Sequence, residues 1–128
     1  MKNKNNTVLD IIVAYNILNS LKDVFIKNAK FSYILSNLRI TLKPFYDVYQ
    51  EELKKLYSQY GKEVEQNKWK ILPDNMIILN KEIKGLNEVS HKIDRIEGIT
   101  KDMIFEIEDL AIPSTFWDLV YDKFFNES

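Results

Sequence analysis

Between Phe31 and Tyr60 one apolar series recurs at helical spacing: Phe31, Leu35, Leu38, Leu42, Phe45, Tyr49, Leu53, Leu56 and Tyr60. The steps alternate between four and three residues, with one doubled four from Tyr49 to Leu53. A single seam therefore runs along one side of a helix, and the doubled step locally relaxes any supercoil. A stripe of that length has to be covered by another element, and a helix folded back against it is the simplest cover. Gly61 follows at once and suits the position just past a helix end. The seam sets the expected fold class: mainly α, a helical hairpin with additional short helices and a small β element.

Pro44 lies inside this helix. It has no N–H to donate and it crowds the carbonyl of Ile40, at a cost of about 3 kcal/mol in a regular interior. Because Leu42, Phe45 and Tyr49 stay in register across it, the spacing predicts a kinked antiparallel hairpin. Two helices, with Pro44 as the first residue of the second, is the alternative.

The flanking segments are read in the same way. Residues Met1 to Asn6 are polar and are expected to fray. Thr7 and Asp10 form a capping box that opens a helix from Thr7 to about Leu21, with Val8, Ile11, Ile12, Tyr15 and Leu18 on one face. The stretch "KEVEQNKWKILPD" loses the helical period and reads as a loop holding a short extended segment. Asp74 is placed as the cap of a helix carrying Met76, Leu79, Ile83 and Leu86. Alternation near Met103 to Asp109 predicts a strand that pairs with the segment around Lys70. Thr115 and Asp118 form a second box-like pair, opening a terminal helix through Phe125. Only three glycines and three prolines in 128 residues give too little turn punctuation for a β-sandwich or barrel, and the length fits a single domain, residues 1–128.

Several chemistries find little support. The formal net charge of -1 gives no overall attraction to nucleic acid or anionic lipid. The absence of cysteine removes disulfides, thiolate nucleophiles and cysteine-ligated zinc together. His91 is the single histidine, so any histidine-based relay or metal site would rest on it alone, and it reads as a surface residue near a helix end. Glu106, Glu108 and Asp109 put two carboxylates on one face of the expected strand, which reads as a solvated face in the absence of a shaped cleft. No glycine-rich phosphate cradle is present. Lys27, Lys30, Arg39 and Lys43, with Tyr33 and Tyr46 between them, are the best basic and aromatic combination, but acidic residues follow them directly. The expectation is a protein that is not an enzyme, needs no cofactor or metal, and meets neither membrane nor, in the leading reading, nucleic acid. Lysines ahead of an apolar run imitate a signal peptide, yet Asp10 interrupts that run and no small-residue cleavage site follows.

The terminal helix is apolar on almost every side, which means core packing on two faces or contact with another chain. With the outward aromatics of the long helix, this marks Tyr46, Tyr57, Trp117, Tyr121, Phe124 and Phe125 as the candidate partner interface, aromatics being the residues that anchor such surfaces.

Four segments, "FSYILSNL", "LKKLYSQYGKE", "LNKEIKGLNEVSHKID" and "IEDLAIPSTFWDL", carry a resemblance. Taken in order, they resemble a family of small, functionally uncharacterised proteins encoded by phages and prophages of low-GC Gram-positive bacteria. The resemblance implies a phage origin, a helical-hairpin body and a place in the host cytoplasm or the virion, and it brings no catalytic residues. Its departures are Pro44, in a helix expected to be uninterrupted, and a middle loop short for the family. On this reading the partners are other phage structural proteins or a host protein, with self-association as a further option. The expected function is a virion structural or assembly component near the tail or neck. The alternatives are a small inhibitor of a host defence enzyme and a nucleic-acid-binding accessory protein.

Overall fold

The structure of the chain, a computed structural model, describes residues 5–126. It is mainly α. In chain order the elements are β1 (Asn5–Thr7), α1 (Val8–Ser20), α2 (Ala29–Tyr60), β2 (Lys62–Glu65), β3 (Lys68–Lys70), α3 (Pro73–Asn87), β4 (Ser90–Lys92), α4 (Lys101–Phe105), a π-helix (Trp117–Tyr121) and α5 (Asp122–Phe124). β1 pairs antiparallel with β4, and β2 with β3, as two separate two-stranded sheets.

The capping box at α1 forms as the sequence predicts. The Asp10 N–H donates to Thr7 Oγ1 at 3.2 Å, and the Thr7 N–H donates to Asp10 Oδ2 at 3.1 Å. Two N–H groups left over at the helix start are thereby satisfied. Asn28 caps α2, accepting from the Phe31 N–H at 2.9 Å. From there α2 runs unbroken through Pro44 to Tyr60, which excludes the two-helix alternative.

The seam is core over its first half. Phe31, Leu35, Leu38 and Leu42 are buried in one cluster with Ile11, Ala14, Tyr15 and Leu18 of α1, and Tyr49 is buried beside it. Ile93, Ile99 and Ile104 and the C-terminal aromatics close the same cluster. Over the second half the burial falls away: Leu53, Leu56 and Tyr60 are half-buried. There α2 is accompanied only by α3 and the β2–β3 hairpin, and α3 buries a single residue, Leu79. The molecule is thus a packed body with a two-helix arm, the two sharing α2. Tyr49 sits at the joint, packed with Val8 and Ile12, its hydroxyl donating to Asn87 Oδ1 at 2.7 Å. Removal from water, and then the nearby Tyr57, raise its pKa above the ordinary 10.0.

Several expectations are corrected. Asn5 and Asn6 do not fray: they pair with Lys92 and His91, and Asn6 is buried, donating through Nδ2 to the Lys123 carbonyl at 3.2 Å. Met1 to Lys4 lie outside the described residues. Gly61 is extended, at φ -137, and not left-handed. Its small size is what matters, because a Cβ there would stand 2.8 Å from Ile71 Cγ1 and 3.1 Å from the carbonyls of Lys70 and Tyr57. At α3 the cap is Leu72, with Pro73 as the first helical residue and Asp74 inside the first turn, where its charge favours the helix dipole.

The predicted strand at Met103 to Asp109 is instead α4 and a turn. Thr100 caps it, Oγ1 accepting from the Met103 N–H at 3.2 Å, and only Ile104 is buried. The partner of the Lys70 segment is Lys62–Glu65, next to it in the chain. Closing a hairpin between neighbouring segments orders fewer residues than a pairing across thirty and so costs less entropy.

The C-terminal segment explains its own apolar character. An α-helix would place Phe116, Val120 and Phe124 on one face and turn Tyr121 and Phe125 aside. Here the Asp122 N–H donates to the Trp117 carbonyl five residues back, and the widened turn lets Phe116, Val120, Tyr121, Phe124 and Phe125 all be buried. No side-chain cap opens the π-helix, so the Thr115–Asp118 box is not what starts it; the Phe116 N–H donates to the Pro113 carbonyl at 3.0 Å. Arg95 straps the far end, donating to the carbonyls of Phe125 and Asp122, each at 2.9 Å.

Candidate partner-binding surface

The six aromatics expected to meet a partner do not share a surface. Tyr121, Phe124 and Phe125 are each about 1% exposed and belong to the chain's own core. The Tyr121 ring stacks on Phe125 with centroids 5.0 Å apart, and its hydroxyl donates to the Ile99 carbonyl at 2.7 Å. Tyr46 is half-buried and turned inward, its ring 4.4 Å from that of Tyr15. For Tyr121, Phe124 and Phe125 the sequence expectation is overturned by burial, and for Tyr46 by its contact with Tyr15; the widened turn is what brings Tyr121 and Phe125 inward beside Phe124. Trp117 and Tyr57 remain at the surface, each half-buried and at separate places.

Trp117 lies against Phe105, centroids 4.8 Å apart, and Phe105 is itself 66% exposed. Nearby, between the start of α2 and α4, is a cleft of about 470 Å³ floored by Phe31, Ile99 and Ile104 and rimmed by Lys27, Lys30, Glu106 and Glu108. Two of these four charges are spent within the chain, since Lys27 Nζ pairs with Glu108 at 3.3 Å and also with Asp109 at 3.0 Å. That pairing also accounts for the acidic group picked out from the sequence: the carboxylates are solvated, in a turn where Asp109 takes φ 53.

Tyr57 stands at the tip of the arm, stacked on Trp69 of β3 with centroids 6.1 Å apart and planes 19° from parallel. The same end of the molecule bares Val64, Leu72 and Ile77 and half-exposes Leu56 and Tyr60. Trp69, Leu72 and Ile77 are not among the interface residues expected from the sequence, where Trp69 and Leu72 read as apolar residues of the extended loop segment. The available signal was Ile77, an apolar residue off the face defined by Leu79, Ile83 and Leu86.

The remaining candidates are dispersed. His91 lies on β4 with its ring 4.8 Å from that of Phe45, and among the described residues it has no hydrogen bond or ion pair to a carboxylate or hydroxyl. Of the basic and aromatic set, Lys27 and Lys43 are held in ion pairs and Tyr46 is turned inward, so no continuous phosphate-facing row is formed. Among the described residues no group of three or more His, Asp or Glu is placed to hold a metal ion, and no helix is long and apolar enough to cross a membrane. No protein-family model matches the chain, and no curated protein or solved structure is similar to it.

Proposed function

We propose that this protein works by holding other proteins, without catalysis, and that the tip of the arm is the surface that does so. The observation carrying this reading is the poverty of the arm's own core: α3 buries one residue of fifteen, while Tyr57, Trp69, Leu72 and Met76 stay partly or largely in water. An apolar surface of that kind, rimmed by Lys62, Glu63 and Lys68, has the composition of a site that another chain completes. In this reading α2 bends at Pro44, where one backbone hydrogen bond is missing, and the bend sets the angle between arm and body.

The resemblance drawn from the sequence supplies the setting: a phage-encoded structural or assembly component, acting near the tail or neck, in the host cytoplasm or the virion. Mass spectrometry of purified particles tests it. The protein should be present at a fixed ratio to the other virion proteins, and Trp69→Asp with Leu72→Asp should remove it from particles while leaving its melting temperature near that of the parent. Absence from particles, together with capture of a host defence enzyme by the unmodified chain, would establish the inhibitor reading instead.

A further inference from the structure

The side of α2 turned away from the body carries a second apolar stripe. Tyr33, Ile40 and Val48 are 71%, 59% and 57% exposed, and Pro44, also exposed, lies between the last two. Steps of seven, four and four keep them on one side of the helix, opposite Phe31, Leu38 and Leu42. The stripe runs about 22 Å at the usual helical rise. It lies on the body's half of α2, away from the arm tip.

The order of charges along α2 is unusual. From Ala29 to Tyr46 the helix carries Lys30, Arg39 and Lys43 and no carboxylate; from Asp47 to Glu52 it carries Asp47, Glu51 and Glu52 and no cation. The helix dipole favours the reverse arrangement, and the first turn of α2 holds no acidic residue. Lys43 and Asp47 pair with each other at 2.8 Å. Lys30 and Glu51 have no ion pair among the described residues, and both are exposed.

We propose that this stripe is where two copies of the chain pair, antiparallel, about a two-fold axis passing between Ile40 and Thr41. One centre serves the whole stripe. It sets Tyr33 of one copy against Val48 of the other, Asn37 against Pro44, Ile40 against Thr41, and Lys30 against Glu51. Tyr33 meets Val48 and Lys30 meets Glu51 at both ends of the contact, while at its centre Ile40 and Pro44 meet the short polar side chains of Thr41 and Asn37, an arrangement that repeats itself about the axis as a two-fold contact requires. The antiparallel order also sets Lys30 in each first turn beside the Asp47–Glu52 stretch of its neighbour, ahead of Lys54 and Lys55. A contact this narrow gives association in roughly the micromolar range.

The chain has no cysteine, so single cysteines report the geometry without ambiguity. Sedimentation equilibrium should show a reversible dimer that weakens with salt. Ile40→Glu should leave a folded monomer, and Lys30→Glu should weaken association about tenfold, with the second change Glu51→Lys restoring it. A short bis-maleimide should join Tyr33→Cys to Val48→Cys in a mixture and leave Tyr33→Cys alone unjoined. A monomer at every concentration up to about 1 mM, a dimer indifferent to Ile40→Glu, or self-joining of Tyr33→Cys would each overturn the pairing. None of these results bears on the arm tip, so the two surfaces stand or fall separately.

Discussion

The two halves of α2 carry the same apolar seam and come to opposite ends. In the body, Phe31, Leu35, Leu38 and Leu42 are covered on one side by α1 and on the other by the aromatics of the C-terminal segment. In the arm, Leu53 packs at the edge of the small group formed by Val8, Ile12 and Tyr49, Leu56 lies beyond it, and both are only half-covered. Periodicity therefore identifies which side of a helix is apolar, while the number of elements that arrive to cover it decides how much of that side becomes core. The difference is also energetic, since a residue at full burial contributes roughly twice or more what a half-covered one does.

The strongest way to break the contrast is at the centre of the body. Phe116→Ala removes a fully buried ring that meets Phe31, Trp117 and Phe125, and should lower stability by about 3–5 kcal/mol in denaturant titration, enough to threaten folding. Within the seam itself, Leu38→Ala should cost about 2–5 kcal/mol and Leu56→Ala about 1 kcal/mol. Equal losses would mean that the arm is as well packed as the body. Gly61→Ala forces a methyl toward Ile71 and two backbone carbonyls and should destabilise by about 1–3 kcal/mol. Its signature is local: amide exchange should quicken in β2, β3 and α3 while the α1 amides keep their protection.

The smallest effect lies at the joint. Tyr49→Phe deletes the hydroxyl bound to Asn87 and should cost about 1 kcal/mol near neutral pH. The Tyr49 pKa is raised in the folded chain, so the neutral phenol is favoured there; its contribution is complete below the unfolded value near 10.0 and is lost as pH rises through the folded value. Thermal melts of the parent should therefore fall more steeply above about pH 10 than those of Tyr49→Phe, and parallel curves would remove the tyrosine from that account.

How much of this was legible in the sequence follows the range of the forces involved. The Thr7–Asp10 box, the extent of α1 and the span of α2 rest on contacts within one turn or on a long repeat, and they appear as read. Pro44 was tolerated because its neighbours kept the seam in register. Met103 to Asp109 was misread because a five-residue helix leaves too short a period to set against apparent alternation, and the Thr100 cap that decides the matter is a single residue. Asn5 and Asn6 become ordered through β4 and Lys123, distant in sequence and invisible to any local pattern. The candidate interface divided for a similar reason. Whether Tyr121 and Phe125 face inward together with Phe124 depends on one widened turn, which no spacing rule anticipates, whereas Tyr57 kept its place at the surface because α3 covers so little of the arm.

Because α2 belongs to both halves, the arm has no hinge loop of its own. At the usual rise its 32 residues make a rod of about 48 Å, anchored over its first half and cantilevered over the rest. If the tip holds a partner as proposed, a load at the Tyr57–Trp69 end reaches the packed region around Leu42 along the helix itself. On that reading the stiffness of this one rod, more than the affinity of its tip, governs how firmly the protein holds what it binds.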